Sequence, residues 1–176
     1  MATAIFTSFG SNTLLHNNGD GTFTDTTDSA GTDDSRWSVP ATFIDFDGDG
    51  WLDLYVGNFV EFRMATHKKC SSSSGASDYC APIVYEPESD RLFRNRGDGS
   101  FEDVSRSAAI DREYGGALGV VGADFNGDGW LDFYVANDGM ANQLWINQGD
   151  GTFVNDAVLG GAAVNEQGLP EASMGV

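Results

Sequence analysis

Asp45-Phe46-Asp47-Gly48-Asp49-Gly50-Trp51-Leu52-Asp53 decides how this chain is read, because it returns as Asp124-Phe125-Asn126-Gly127-Asp128-Gly129-Trp130-Leu131-Asp132. Oxygen-bearing side chains stand at loop positions 1, 3, 5 and 9, and the residue at position 7, Trp51 or Trp130, has a backbone carbonyl to offer. Glycine at position 6 permits a sharp turn. Such a loop can wrap a hard cation that takes roughly six to eight oxygens, so both copies read as calcium loops.

A helix–loop–helix calcium site needs a bidentate glutamate at position 12, where this chain has Val56 and Val135. The ninth-position residues, Asp53 and Asp132, must substitute. Leu52-Asp53-Leu54-Tyr55-Val56 and Leu131-Asp132-Phe133-Tyr134-Val135 alternate with period two and are rich in β-formers. The loops therefore join strands.

Spacing extends the repeat. Asn17-Asn18-Gly19-Asp20-Gly21-Thr22-Phe23, Asn95-Arg96-Gly97-Asp98-Gly99-Ser100-Phe101 and Asn147-Gln148-Gly149-Asp150-Gly151-Thr152-Phe153 share one pattern after an apolar segment. Gly-Asp-Gly between short β-like segments is hairpin chemistry, since these residues tolerate positive φ. With one carboxylate each, these are turns and not metal sites.

A complete unit reads as strand A (42–46; 120–125), calcium loop, strand B (52–57; 131–136), strand C, Gly-Asp-Gly turn and strand D. The expected fold is all-β, a partial β-propeller of four-stranded antiparallel blades. The expected divisions are a half blade with strands C and D at 1–36, a complete blade at 37–106, another at 107–157, and the start of a further blade at 158–176. Asn58 to Asn95 spans 37 residues where Asn137 to Asn147 spans 10, placing an insertion at about 59–90 in the first complete blade. Such units do not close a ring. Either the chain is a segment of a longer polypeptide, or copies associate as a homo-oligomer that completes the open blades.

Composition narrows the partners. The chain has 176 residues, 40% of them hydrophobic, and 9 Lys+Arg against 27 Asp+Glu give a formal charge of -18. That balance argues against nucleic acid and anionic membranes as partners and favours cations. No apolar run is long enough to span a bilayer and no charged-then-apolar leader follows Met1, so membrane insertion is not expected. Cys70 and Cys80 lie in a Ser/Gly-rich stretch and read as a disulfide stapling the insertion. Two free thiols, or a metal site shared with His67, are the alternatives.

The pattern D-x-[DN]-G-D-G-W-L-D-[LF]-Y-V followed by N-x-G-D-G-[ST]-F resembles the FG-GAP/VCBS repeat of integrin-α-type propellers. Tyr79-Cys80-Ala81-Pro82 followed by Arg91-Leu92-Phe93-Arg94-Asn95 is similar, more narrowly, to the cartilage-acidic-protein and ASPIC/UnbV group. The resemblance implies an extracellular, cell-surface or periplasmic module for adhesion, ligand binding or scaffolding, with a protein or carbohydrate ligand and no catalysis. It implies about two Ca2+ per chain: one held by Asp45, Asp47, Asp49, Asp53 and the Trp51 carbonyl, the other by Asp124, Asn126, Asp128, Asp132 and the Trp130 carbonyl. Asn126 in place of an acid predicts a weaker second site.

Two other classes compete. A hydrolase would use the acidic loops with calcium as Lewis acid, or His16 or His67 as base; neither histidine recurs, and no nucleophile elbow appears. A dockerin-like module would follow its loops with helix. Arg96-Gly97-Asp98 spells an adhesion tripeptide, but Arg96 occupies the variable position filled by Asn18 and Gln148. Trp37, Trp51, Trp130 and Trp145 are expected in the core between blades, with a carbohydrate platform as the other use for such rings.

Overall fold

The computed structural model describes residues 3–173. Along the chain run β1 (Thr3–Phe6), β2 (Thr13–Asn17), β3 (Phe23–Asp25), the short helix α1 (Thr27–Ala30), β4 (Ser38–Ile44), β5 (Asp53–Asn58), β6 (Cys70–Ser71), β7 (Ser77–Asp78), β8 (Arg91–Asn95), β9 (Phe101–Asp103), β10 (Ala117–Ala123), β11 (Asp132–Asn137), β12 (Gln143–Asn147) and β13 (Phe153–Asn155). They form a three-stranded sheet β1-β2-β3, two four-stranded sheets β4-β5-β8-β9 and β10-β11-β12-β13, and a small β6-β7 hairpin. All pairings within these sheets are antiparallel. The fold is all-β, with none of the sheets closed, as a partial propeller requires.

Strand A begins and ends earlier than its apolar pattern suggests. Ser38 pairs with Asn58 and Ala117 with Asn137, each followed by a register shift. Pro40 falls inside the first shift, where a missing N–H costs no ladder bond. At the other end, the side chains of Asp45 and Asp124 capture loop amides, which stops the ladder.

The expected two-strand half blade contains a third strand: Thr3 pairs with His16 and Phe6 with Thr13. Its four residues follow no acidic loop and leave no repeat signature. The returns from strand D are helical, as α1 and as a 3-10 turn at Ile110–Arg112.

The sheets stack on their side-chain faces. Ile44, Phe46, Tyr55, Leu92, Ile110, Phe133, Val135, Trp145 and Phe153 form one buried cluster between the four-stranded sheets. The Tyr55 and Phe133 rings lie 4.6 Å apart, and Phe133 and Phe153 5.3 Å apart. A smaller cluster of Leu54, Val56 and Phe93 with Ile5, Ala41 and Phe43 joins the three-stranded sheet. Burying each large side chain contributes about 1.5–3 kcal/mol, so these interfaces dominate the hydrophobic stabilisation. Backbone approach is close where they meet: a Cβ on Gly57 would lie 2.5 Å from the Pro40 ring and 2.8 Å from Ala117.

Between β5 and β8 the chain makes its long excursion. Cys70 and Cys80 are joined as a disulfide across the β6-β7 hairpin, with Cα atoms 5.2 Å apart. His67 is thus no partner in a cysteine metal site; its Nδ1 lies 3.5 Å from the Tyr85 hydroxyl. Among the described residues no helix is long and apolar enough to cross a membrane.

Candidate metal centres in the strand A–B loops

The loop at 45–53 is shaped by its own carboxylates. Asp45 accepts bonds from the Asp49 and Gly50 amides at 3.1 and 3.0 Å, and Asp49 accepts from the Trp51 amide at 2.8 Å. Gly48 and Gly50 take φ of 73° and 90°, conformations that side chains with a Cβ rarely adopt. The turn draws Asp45, Asp47 and Asp49 together, with one oxygen from each within 4.8 Å of the others. Burial and the facing Asp49 hold the Asp47 carboxyl above the usual range. Three oxygen donors that repel one another form a set that a divalent cation would relieve.

Asp53, expected as the ninth-position ligand, stands apart from the cluster of three. It is fully buried, and its two oxygens accept the Phe46 amide at 3.0 Å and the Asn95 amide at 2.8 Å. Burial pushes its carboxyl up to about 7 in spite of these donors, with Asp47 and Asp49 adding repulsion. It thereby ties the loop to the Gly-Asp-Gly turn of the same sheet. Asp132 repeats this with Phe125 and Asn147 at 2.9 and 2.8 Å.

The second loop has the same turn but satisfies itself further. Asp124 accepts amides of Gly127, Asp128 and Gly129, which hold its carboxyl below the usual range, the Gly129 bond chiefly. Asn126 donates from Nδ2 to Asp128 Oδ2 at 2.8 Å and accepts the Asp128 amide at 2.9 Å. Trp130 donates its amide to Asp128 at 2.8 Å, as Trp51 does to Asp49 in the first loop.

Trp51 and Trp130 do not sit in the core as expected: they are 53% and 37% exposed, while Trp145 is buried. Each indole lies over the first glycine of the neighbouring turn, where a Cβ at Gly97 or Gly149 would be 2.8 Å from Nε1. That contact explains why the tryptophan of one motif and the glycine of the other occur together. Trp130 also reaches the first loop, 3.5 Å from where a Gly48 Cβ would stand. Asn147 Nδ2 donates to the Phe46 carbonyl at 2.8 Å across the same gap. The acidic loops of adjacent sheets are therefore neighbours.

The turns keep their own order. Asn17, Asn95 and Asn147 accept the amide two residues on, while Asp20, Asp98 and Asp150 each accept both the amide and the hydroxyl of the following Thr or Ser. In the Arg96-Gly97-Asp98 tripeptide, Asp98 is thus spent on its turn and Arg96 pairs with Glu102 at 3.4 Å.

One feature escaped the sequence reading. Asp34, Asp90, Asn58 and Ser38 form a buried polar group at the base of the excursion, with Tyr55 Oη 2.7 Å from Asp90. Beside it, Phe9, Trp37 and Phe62 meet edge to face around an open depression rimmed by Arg36, Glu61, Arg63 and Glu88. Trp37 is half-buried there. Neither Asp34 nor Asp90 lies in a motif, so nothing in their spacing marked them.

Comparison with known proteins agrees with the repeats. The FG-GAP-like repeat model matches residues 3–56, 75–135 and 124–169. The chain is 32% identical over 183 aligned residues to cartilage acidic protein 1 of Mus musculus, covering 84% of this chain and 28% of that protein. The Homo sapiens protein of that name gives the same identity and coverage, and the Xenopus tropicalis one is 29% identical over 176 residues. The chain spans under a third of the length of these relatives.

Proposed function

The chain belongs to the FG-GAP-like repeat family, and from that premise we propose that it is a calcium-binding, non-catalytic propeller segment serving as an extracellular adhesion, ligand-binding or scaffold module. The observation that carries this reading is the convergence of Asp45, Asp47 and Asp49 on one point, in a loop whose turn is repeated at 124–132. Asp45, Asp47 and Asp49 would hold the first ion; Asp124, Asn126 and Asp128 would hold the second. Asp53 and Asp132 anchor each loop to its turn from behind, and the carbonyls of Trp51 and Trp130 complete the proposed donor sets. Bound calcium would neutralise the clustered charge and add its binding energy to folding stability.

The disulfide supports an oxidising, extracellular setting. The 59–90 excursion, carried between the two central strands of a rigid sheet, is the proposed partner-specific surface. Calorimetric titration with calcium tests the reading, run beside a double variant with Asp47→Ala and Asn126→Ala. About two ions per chain, lost in the variant together with thermal stability, is the expected result. A folded chain that takes up no calcium would reduce the loops to acidic turns.

A further inference from the structure

We propose that the Asp90 carboxyl is a proton-sensitive latch that holds the two ends of the 59–89 excursion against the sheets. Asp90 immediately precedes β8 and is only 5% exposed. Its Oδ1 accepts the Asn58 amide at 2.7 Å, and its Oδ2 lies 2.7 Å from Tyr55 Oη. Asn58 in turn donates to the Ser89 carbonyl at 2.9 Å and to Asp34 at 3.0 Å, and accepts from the Ser38 hydroxyl at 2.7 Å. One buried cluster therefore grips the last residue of β5 and the last residues of the excursion. Phe59 and Glu88 meet just outside it, through a backbone bond of 3.3 Å.

The other two units show what is unusual here. The residue preceding β2 is Asn12 and the one preceding β12 is Asn142. Each accepts an amide through Oδ1, from Ser8 and Asn137, and donates through Nδ2 to a serine, Ser38 at 2.9 Å and Ser173 at 3.1 Å. At the start of β10, the position equivalent to Ser38, stands Ala117. Asp90 keeps the acceptor half of the asparagine's role and meets the tyrosine hydroxyl instead of a serine. Ionised, it can only accept; protonated, it regains a donor for the Tyr55 oxygen.

Burial, more than the neighbouring charges, favours the protonated form. Tyr55 faces it from β5 and Asp34 and Arg36 from the connection before β4, while Arg91 of β8 donates to its backbone carbonyl and Glu88 of the excursion pairs with Arg36. Arg36 is committed to Asp34 at 2.8 Å and Glu88 at 3.4 Å, and Arg91 to Asp103 at 3.5 Å. Among the described residues no cation pairs with Asp90. Burial pushes its carboxyl up to about 7, with a further push from Asp34 and against the pull of the Asn58 and Tyr55 donors and the Arg36 charge. Above that pH, two buried carboxylates share Asn58 and repel.

The sign follows from linkage. A carboxyl raised in the folded state binds a proton on folding, so its stabilisation is full below the unfolded value near 4 and is lost as pH rises to about 7. From pH 6 to pH 8 the folding equilibrium should fall about tenfold through this group alone, with faster amide exchange at Asn58 and Glu88. Asp90→Asn, which installs the residue present at positions 12 and 142, should remove that difference. Other titrating groups, Asp53 included, are common to both proteins and cancel in the comparison.

The direct measurement is the carboxyl 13C shift of Asp90 in the parent chain, followed from pH 4 to pH 9. A midpoint near neutrality, with an Asp90→Asn protein whose stability is flat by comparison, is the expected result. A midpoint below about 5, or equal pH slopes in parent and variant, would overturn the latch. Should Asp90→Asn fail to fold, Tyr55→Phe serves: losing one donor to the carboxylate must raise the Asp90 midpoint, and an unmoved midpoint counts against the proposal.

Discussion

The loops at 45–53 and 124–132 share a backbone turn and differ at their third position, Asp47 against Asn126. In the first, the Asp47 carboxyl is crowded by Asp49 and raised by burial. In the second, the asparagine supplies an N–H that occupies Asp128 Oδ2 at 2.8 Å, and backbone amides already hold Asp124 low. One amide for one carboxylate turns a loop that wants a cation into one that half-satisfies itself. A shared backbone turn therefore does not imply equal affinity for the proposed ion.

The largest expected effect comes from removing that demand. Asp47→Ala should weaken calcium binding at the first loop by about a hundredfold or more while leaving the second loop within about threefold, measured by calorimetry. The reverse experiment sharpens the contrast. Asn126→Asp should strengthen the second loop by about tenfold and lower the stability of the calcium-free chain, because the internal N–H donor is replaced by a like charge.

Next in size is a test of what the loops share. Gly97→Ala and Gly149→Ala each force a Cβ against an indole at 2.8 Å and onto a φ of 75° or 71°. Each should cost about 2 kcal/mol of unfolding free energy in denaturant. A large inequality would break the claim that the loop–turn clamp is the same in both sheets.

pH acts on the first loop more gently. The Asp53 carboxyl, raised to about 7 in the folded chain, gives its stabilisation below about pH 4 and loses it as pH rises to 7. Without calcium, the stability of the parent relative to Asp53→Asn should therefore fall over this range. Calcium should flatten the fall, and binding at the first loop should strengthen as pH rises through 7. The smallest expected effect is at Arg96, whose exposed pair with Glu102 is worth little. Arg96→Gln should leave cell adhesion unchanged; lost adhesion would revive the tripeptide as a ligand.

How much of this was legible depended on repetition. The paired Asp loops and the Gly-Asp-Gly turns carry their own chemistry in fixed spacing, so the four-stranded sheets and the position of the excursion could be read from residues 42–155. β1 could not, because Thr3–Phe6 is an ordinary short strand recognised only through its partner β2. Trp51 and Trp130 looked like core from composition; their place over Gly97 and Gly149 is a tertiary contact across two motifs. The Asp34–Asn58–Asp90 cluster was invisible for the same reason, since its members are brought together from three separate segments.

The central claim is that two neighbouring loops of one shape bind calcium with unequal strength. Residue-resolved 15N–1H spectra recorded during a calcium titration test it most directly. The account predicts that the Gly48 and Gly50 amides shift first and saturate, and that Gly127 and Gly129 follow at higher calcium. Simultaneous saturation, the reverse order, or four glycine amides that never move would contradict it.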